Sequence, residues 1–158
     1  MKRSKKILSC VVAVAIPLAV GGISSLLTSS AMKVFGSLTQ PPLSPPGWLF
    51  PVVWTILYIL MGISSFLIFQ SSSNANIRKR ALVLYGAQLV LNFIWSPLFF
   101  NGQLYFVALV VLVVMWLLIL ALIVNAGKVS KSAAYLLVPY ILWATFAAYL
   151  NIMIWLLN

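Results

Sequence analysis

Apolar residues fill this chain in long runs that charge interrupts at only four places, and those interruptions count the elements. The uncharged stretches are 7–32, 34–77, 81–127 and 132–158. A helix that crosses a bilayer needs about 20 apolar residues. The first and last stretches therefore hold one span each, and the third holds two, with Asn101-Gly102-Gln103 as the turn between them. The second holds only one, because 36–47 reads GSLTQPPLSPPG, too rich in proline and polar residues for a lipid-exposed helix. The pattern predicts an all-α integral membrane protein, one domain over 1–158. Five transmembrane helices are expected at roughly 7–28, 48–70, 82–100, 104–125 and 133–157, with 29–47 as a loop.

Polar and aromatic side chains recur inside these spans at helical spacing. Trp54, Tyr58, Met61 and Ser65 fall on one side of the second span, Gln88, Asn92 and Trp95 on one side of the third, and Tyr140, Trp143, Ala147 and Asn151 on one side of the fifth. An amide in hydrocarbon points inward, to a neighbouring helix, a water or a ligand. Such faces serve as interhelical bonds and filling, or together outline an apolar pocket with a few orienting groups, the usual form of a small-molecule site; both readings stand at this point. The fourth span is nearly free of polar groups from Phe106 to Val124 and reads as packing. Trp48, Trp155, Tyr85 and Tyr105 lie near span ends and are candidates for an interfacial aromatic belt.

Composition sharpens the picture by exclusion. Of 158 residues 64% are hydrophobic and 6% charged, with ten Lys plus Arg and no Asp, Glu or His, and the mean hydropathy is +1.14. Paired carboxylates, nucleophile-His arrangements and His or carboxylate metal sites are thereby excluded. No catalytic or metal-ligating set and no cofactor is assigned on this basis. Lys and Arg resist translocation. A cytoplasmic N-terminus puts Lys2, Arg3, Lys5, Lys6, Arg78, Lys79, Arg80, Lys128 and Lys131 on the cytoplasmic side, with Lys33 and Asn158 outside. Membrane topology and anionic headgroups account for the +10 charge, and nucleic acid is not an expected partner. The run from Ile7 to Leu27 is longer than a secretory signal core and is read as a retained span, kinked at Pro17. Gly21, Gly22, Ser24 and Ser25 form a small-residue surface suited to close helix contact, within a bundle or between protomers. The single cysteine, Cys10, excludes an intrachain disulfide.

Three blocks carry a family resemblance: Gln40 to Gly62, QPPLSPPGWLFPVVWTILYILMG; Leu91 to Phe100, LNFIWSPLFF; and Pro139 to Asn151, PYILWATFAAYLN. Over essentially the whole chain the sequence resembles the TspO/MBR family, the tryptophan-rich sensory proteins related to the mitochondrial translocator protein. The resemblance implies a five-helix bundle, often a homodimer, with a pocket for hydrophobic ligands, notably protoporphyrin IX and haem. It implies ligand contacts at Trp54, Tyr58, Asn92, Trp95, Trp143 and Ala147: stacking for Trp54 and Trp143, hydrogen bonding for Asn92 and clearance for Ala147. The segment 29–47, with Pro41, Pro42, Pro45, Pro46 and Trp48, is expected to act as a lid. Some bacterial members are reported to break down protoporphyrin IX in light with the help of pocket tryptophans, which here would be Trp54 and Trp143. Two positions depart from the family pattern: Val111 stands where an acidic residue is common, and Leu43 where a Trp is frequent. The expected setting is a bacterial plasma membrane, with the lipid bilayer and a porphyrin-type molecule as partners.

Overall fold

The computed structural model describes residues 2–158. Among them the chain forms seven α-helices and one π-helical turn, and no strand. Helix α1 is Arg3–Leu27, α2 Ala31–Ser37, α3 Leu49–Gln70, α4 Ala75–Ser96, α5 Tyr105–Val129, α6 Lys131–Leu136 and α7 Val138–Leu157; the π turn, Pro97–Asn101, continues α4. Five stretches are long and apolar enough to cross a membrane: Arg3–Leu27, Leu49–Gln70, Ala75–Asn101, Tyr105–Val129 and Lys131–Leu157. The protein is thus an integral membrane protein of five spans. Outward apolar side chains such as Leu8, Leu26 and Leu142 face the surroundings, which suits a lipid solvent and no other.

The observed elements differ from the expected ones in four respects. The third span starts at Ala75 rather than near 82, because the Asn74 side chain accepts hydrogen bonds from the backbone N–H groups of Asn76 and Ile77 and caps the helix there. Arg78, Lys79 and Arg80 therefore lie within α4. The fifth span is broken at Leu137 into α6 and α7, since Pro139 has no N–H to donate and its ring crowds the preceding turn. The segment 29–47 is not all loop, because it contains α2. Tyr85, considered above for an aromatic belt, is instead buried in the core at 8% exposure. α1 runs unbroken through Pro17.

Helix packing follows small residues. α4 packs most extensively on α5, and α1 on α3. A Cβ at Gly62 would sit 2.5 Å from the Val14 Cα, and one at Gly21 would collide with the Tyr58 ring, so both glycines are required by the close approach of α1 to α3. α5 presents Ala108, Leu112, Met115, Ile119, Leu122 and Ala126 inward at spacings of three and four. At one end of the bundle, Ser71 and Ser73 donate to the Val129 carbonyl at 3.0 and 3.3 Å, and the Arg78 guanidinium donates to the Ser71 carbonyl at 2.7 Å.

At the other end, 38–47 straps α2 to α7. The Asn158 side chain accepts from the Thr39 N–H at 3.0 Å and donates to the Thr39 carbonyl at 3.1 Å. The Tyr149 hydroxyl donates to the Pro42 carbonyl at 2.7 Å, and Gln40 donates to the Phe35 carbonyl at the end of α2. Pro41 to Ser44 forms a turn closed by a 3.3 Å backbone bond. Leu43 at its third position has φ 68°, a left-handed conformation that glycine usually fills.

Candidate ligand pocket

A cavity of about 410 Å³ lies between α1, α2, α3, the π turn and α7, in the lower half of the range typical of small-molecule sites. One wall is aromatic. Trp54 comes from α3, Trp95 from α4 and Trp143 from α7, with Phe50, Phe99 and Phe100 beside them. The opposite wall is the small-residue face of α1, with Gly21, Gly22, Ser24 and Ser25 at helical spacing, continued by Thr28 and Ser29 just beyond the helix end. α2 covers one end with Ala31, Met32 and Phe35. No charged side chain borders the space.

The rings are held by other rings. Trp54 stacks on Tyr58 with centroids 5.6 Å apart and planes at 29°, and Trp95 stacks on Phe99 at 5.1 Å and 26°. Phe50 meets Trp143 edge to face at 5.9 Å, and Phe35 in turn meets Phe50 at 5.0 Å. The π turn widens the backbone where Phe99 and Phe100 are presented, and its Pro97 carbonyl accepts from the Gly102 N–H at 2.9 Å.

Beneath the cavity runs a chain of buried hydrogen bonds. The Tyr58 hydroxyl donates to Asn92 Oδ1 at 2.9 Å, Asn92 Nδ2 donates to the Tyr140 hydroxyl at 2.9 Å, and that hydroxyl donates to Gln88 Oε1 at 2.6 Å. A second connection fixes the third indole: Trp95 Nε1 donates to Asn151 Oδ1 at 3.0 Å, and Asn151 Nδ2 to the Tyr105 carbonyl at 2.9 Å. These bonds join α3, α4, α5 and α7 in hydrocarbon, where an unpaired polar group is costly.

Of the six ligand contacts expected from sequence, Trp54, Tyr58, Trp95, Trp143 and Ala147 border the cavity together. Asn92 does not. It borders a separate void of about 10 Å³, on the scale of one water molecule, shared with Trp54, Trp95, Met115 and Ala147. The lid residues Pro41, Pro42, Pro45, Pro46 and Trp48 are also absent from the cavity wall; Trp48 is 68% exposed. The parts of 29–47 that reach the cavity are Ser29 and α2; sequence reasoning missed α2 along with Phe35, Phe99 and Phe100. The signal for the α1 wall was present as the small-residue surface, but its spacing alone does not separate a cavity wall from a helix contact; here it serves as both. Among the described residues no three of His, Cys, Asp and Glu gather as a metal site. The sulfur at the cavity is the Met32 thioether.

The likeness to known proteins covers this architecture from end to end. Residues 13–156 match the sequence profile of the TspO/MBR family. The tryptophan-rich protein TspO of Chlorobaculum tepidum is 39% identical over 156 residues, 98% of this chain and 99% of the relative. A tryptophan-rich sensory protein of Cereibacter sphaeroides is 38% identical over 117 residues, covering 74% and 72% of the two chains. The translocator protein of Ovis aries is 39% identical over 132 residues, covering 82% and 77%. Its bacterial relatives accord with a place in the bacterial plasma membrane. With five apolar spans and three helices that each bring an indole to one cavity, this chain belongs to the TspO/MBR family.

Proposed function

We propose that the protein binds planar hydrophobic ligands of the tetrapyrrole class, protoporphyrin IX foremost, and acts as a membrane sensor or carrier for them. The observation that carries this reading is the meeting of Trp54, Trp95 and Trp143 from three helices around one uncharged cavity. Aromatic faces attract a flat conjugated ligand by about 0.5–1.5 kcal/mol per pair beyond the area buried. Free-base porphyrin suits the site better than haem, since the wall offers iron only hydroxyls and the Met32 thioether. In this reading the N-terminus is cytoplasmic, and α1, the span with the smallest buried share at 11%, is the helix available to a second protomer. The test is titration of purified protein with protoporphyrin IX, read by tryptophan quenching. Trp54→Ala and Trp143→Ala are each expected to weaken binding about 3- to 10-fold; unchanged affinity in both variants refutes the assignment.

A second reading, light-dependent degradation of the bound porphyrin, is supported by the position of Trp54 and Trp143 at the cavity wall. A photoexcited porphyrin brings its own reactivity and needs no acid, base or metal from the protein. Under illumination this reading expects bound protoporphyrin to disappear faster than in free solution, and more slowly in Trp54→Phe and Trp143→Phe proteins. Loss at the free-solution rate rejects it and leaves the binding reading intact.

A further inference from the structure

We propose that the Ser24 hydroxyl is the group that recognises the polar edge of the planar ligand, and that it selects rings carrying hydrogen-bonding substituents over purely alkyl ones. This inference rests on the tetrapyrrole reading above and follows from what hydrogen-bonding capacity the cavity leaves free. The Tyr58 hydroxyl is committed to Asn92 and the Trp95 N–H to Asn151. Hydroxyls in helices ordinarily bond back to a carbonyl three or four residues earlier. Thr28, Thr55, Ser65 and Thr145 all do so here.

The hydroxyls of Ser24, Ser25, Ser29 and Ser96 on the cavity wall do not, and of these four residues Ser24 alone is buried. It is 5% exposed and borders the cavity, and among the described residues its hydroxyl has no hydrogen-bond partner. The Tyr85 hydroxyl and Asn125 Oδ1 are also unpartnered but fully covered, and neither residue borders the cavity, as Ser24 does. The carbonyl of the same residue is already occupied by the Thr28 hydroxyl at 2.8 Å. A buried hydroxyl without a partner is a standing cost, removed when a ligand atom supplies the missing bond. The free indole N–H groups of Trp54 and Trp143 only donate, whereas a serine hydroxyl donates or accepts. With no cation at the wall, a carboxylate or carbonyl on the ligand edge depends on such neutral donors.

The experiment uses the full chain in detergent and two free-base porphyrins, protoporphyrin IX, which carries propionates, and etioporphyrin, whose substituents are all alkyl. Ser24→Ala is expected to weaken protoporphyrin IX about fivefold and to change etioporphyrin less than about twofold. The unliganded variant should melt at or above the wild-type temperature, because an unpaired hydroxyl has been removed. Ser24→Cys, which keeps the shape and weakens the hydrogen bond, should give an intermediate loss. Equal weakening of both porphyrins, or of neither, overturns the assignment of Ser24. If wild-type protein binds protoporphyrin IX and Trp54→Ala weakens it while Ser24→Ala does not, only the Ser24 inference falls. If wild-type protein binds neither porphyrin, the tetrapyrrole reading falls with it.

Discussion

Asn92 bridges two tyrosines that border different parts of the bundle. It accepts from Tyr58 on α3 and donates to Tyr140 on α7, and Gln88, one turn earlier, accepts from Tyr140. Replacing it by Leu leaves the Tyr58 hydroxyl without an acceptor in a buried setting. Polar bonds between membrane helices are worth about 0.6–2 kcal/mol. Asn92→Leu is accordingly expected to lower the unfolding free energy by about 1–2 kcal/mol, measured by denaturant titration in detergent, while Asn92→Gln retains part of that. An Asn92→Leu protein as stable as wild type would show that the bridge contributes nothing. That Gln88 and Asn92 point inward was legible in the sequence, because an amide has no partner among lipid tails. Their partners were not, because Tyr58 and Tyr140 lie 34 and 48 residues away from Asn92 and nothing local specifies which inward group meets which.

At the scale of elements, the spans were legible and the strap was not. The bilayer imposes a fixed length of apolar helix, so charge spacing together with the 101–103 turn and the proline-rich 36–47 segment separates the five crossings. α2 has only seven residues, too few to be stable alone. It exists because Phe35 inserts against Phe50 and Phe99, a tertiary cause that sequence periodicity does not reveal. The strap behind it depends on few bonds. Tyr149→Phe removes the hydroxyl that holds the Pro42 carbonyl and is expected to raise amide hydrogen exchange in 38–47 several-fold, with the spans unchanged. Leu43→Gly, by contrast, relieves a left-handed conformation costing about 1–2 kcal/mol and should slow exchange there. Identical exchange in all three proteins would mean the strap is held by other forces. Between spans, Gly62→Val drives a side chain into the α1 backbone at Val14 and should destabilise the protein by about 1–3 kcal/mol, read by thermal unfolding; wild-type stability would contradict the close packing of α1 on α3.

Across the whole molecule, hydrocarbon outside and an aromatic-walled space between the helices are two results of one composition. A chain with no acid and no histidine is poor in proton chemistry and rich in surfaces for apolar rings. The inward aromatic faces of three spans were visible in sequence, but that they converge at one level, and that small residues of α1 close the fourth side, required the helices to be placed. The central claim is that this shared space holds the ligand. Ala147 borders it, is 9% exposed, and contributes no indole or hydrogen bond, so enlarging it fills the space and leaves the other walls chemically intact. The most direct measurement is the protoporphyrin IX affinity of the Ala147→Phe protein, taken on material whose helix content and melting match wild type. Binding at least about tenfold weaker is the expected result; wild-type affinity with the space so filled would contradict the account.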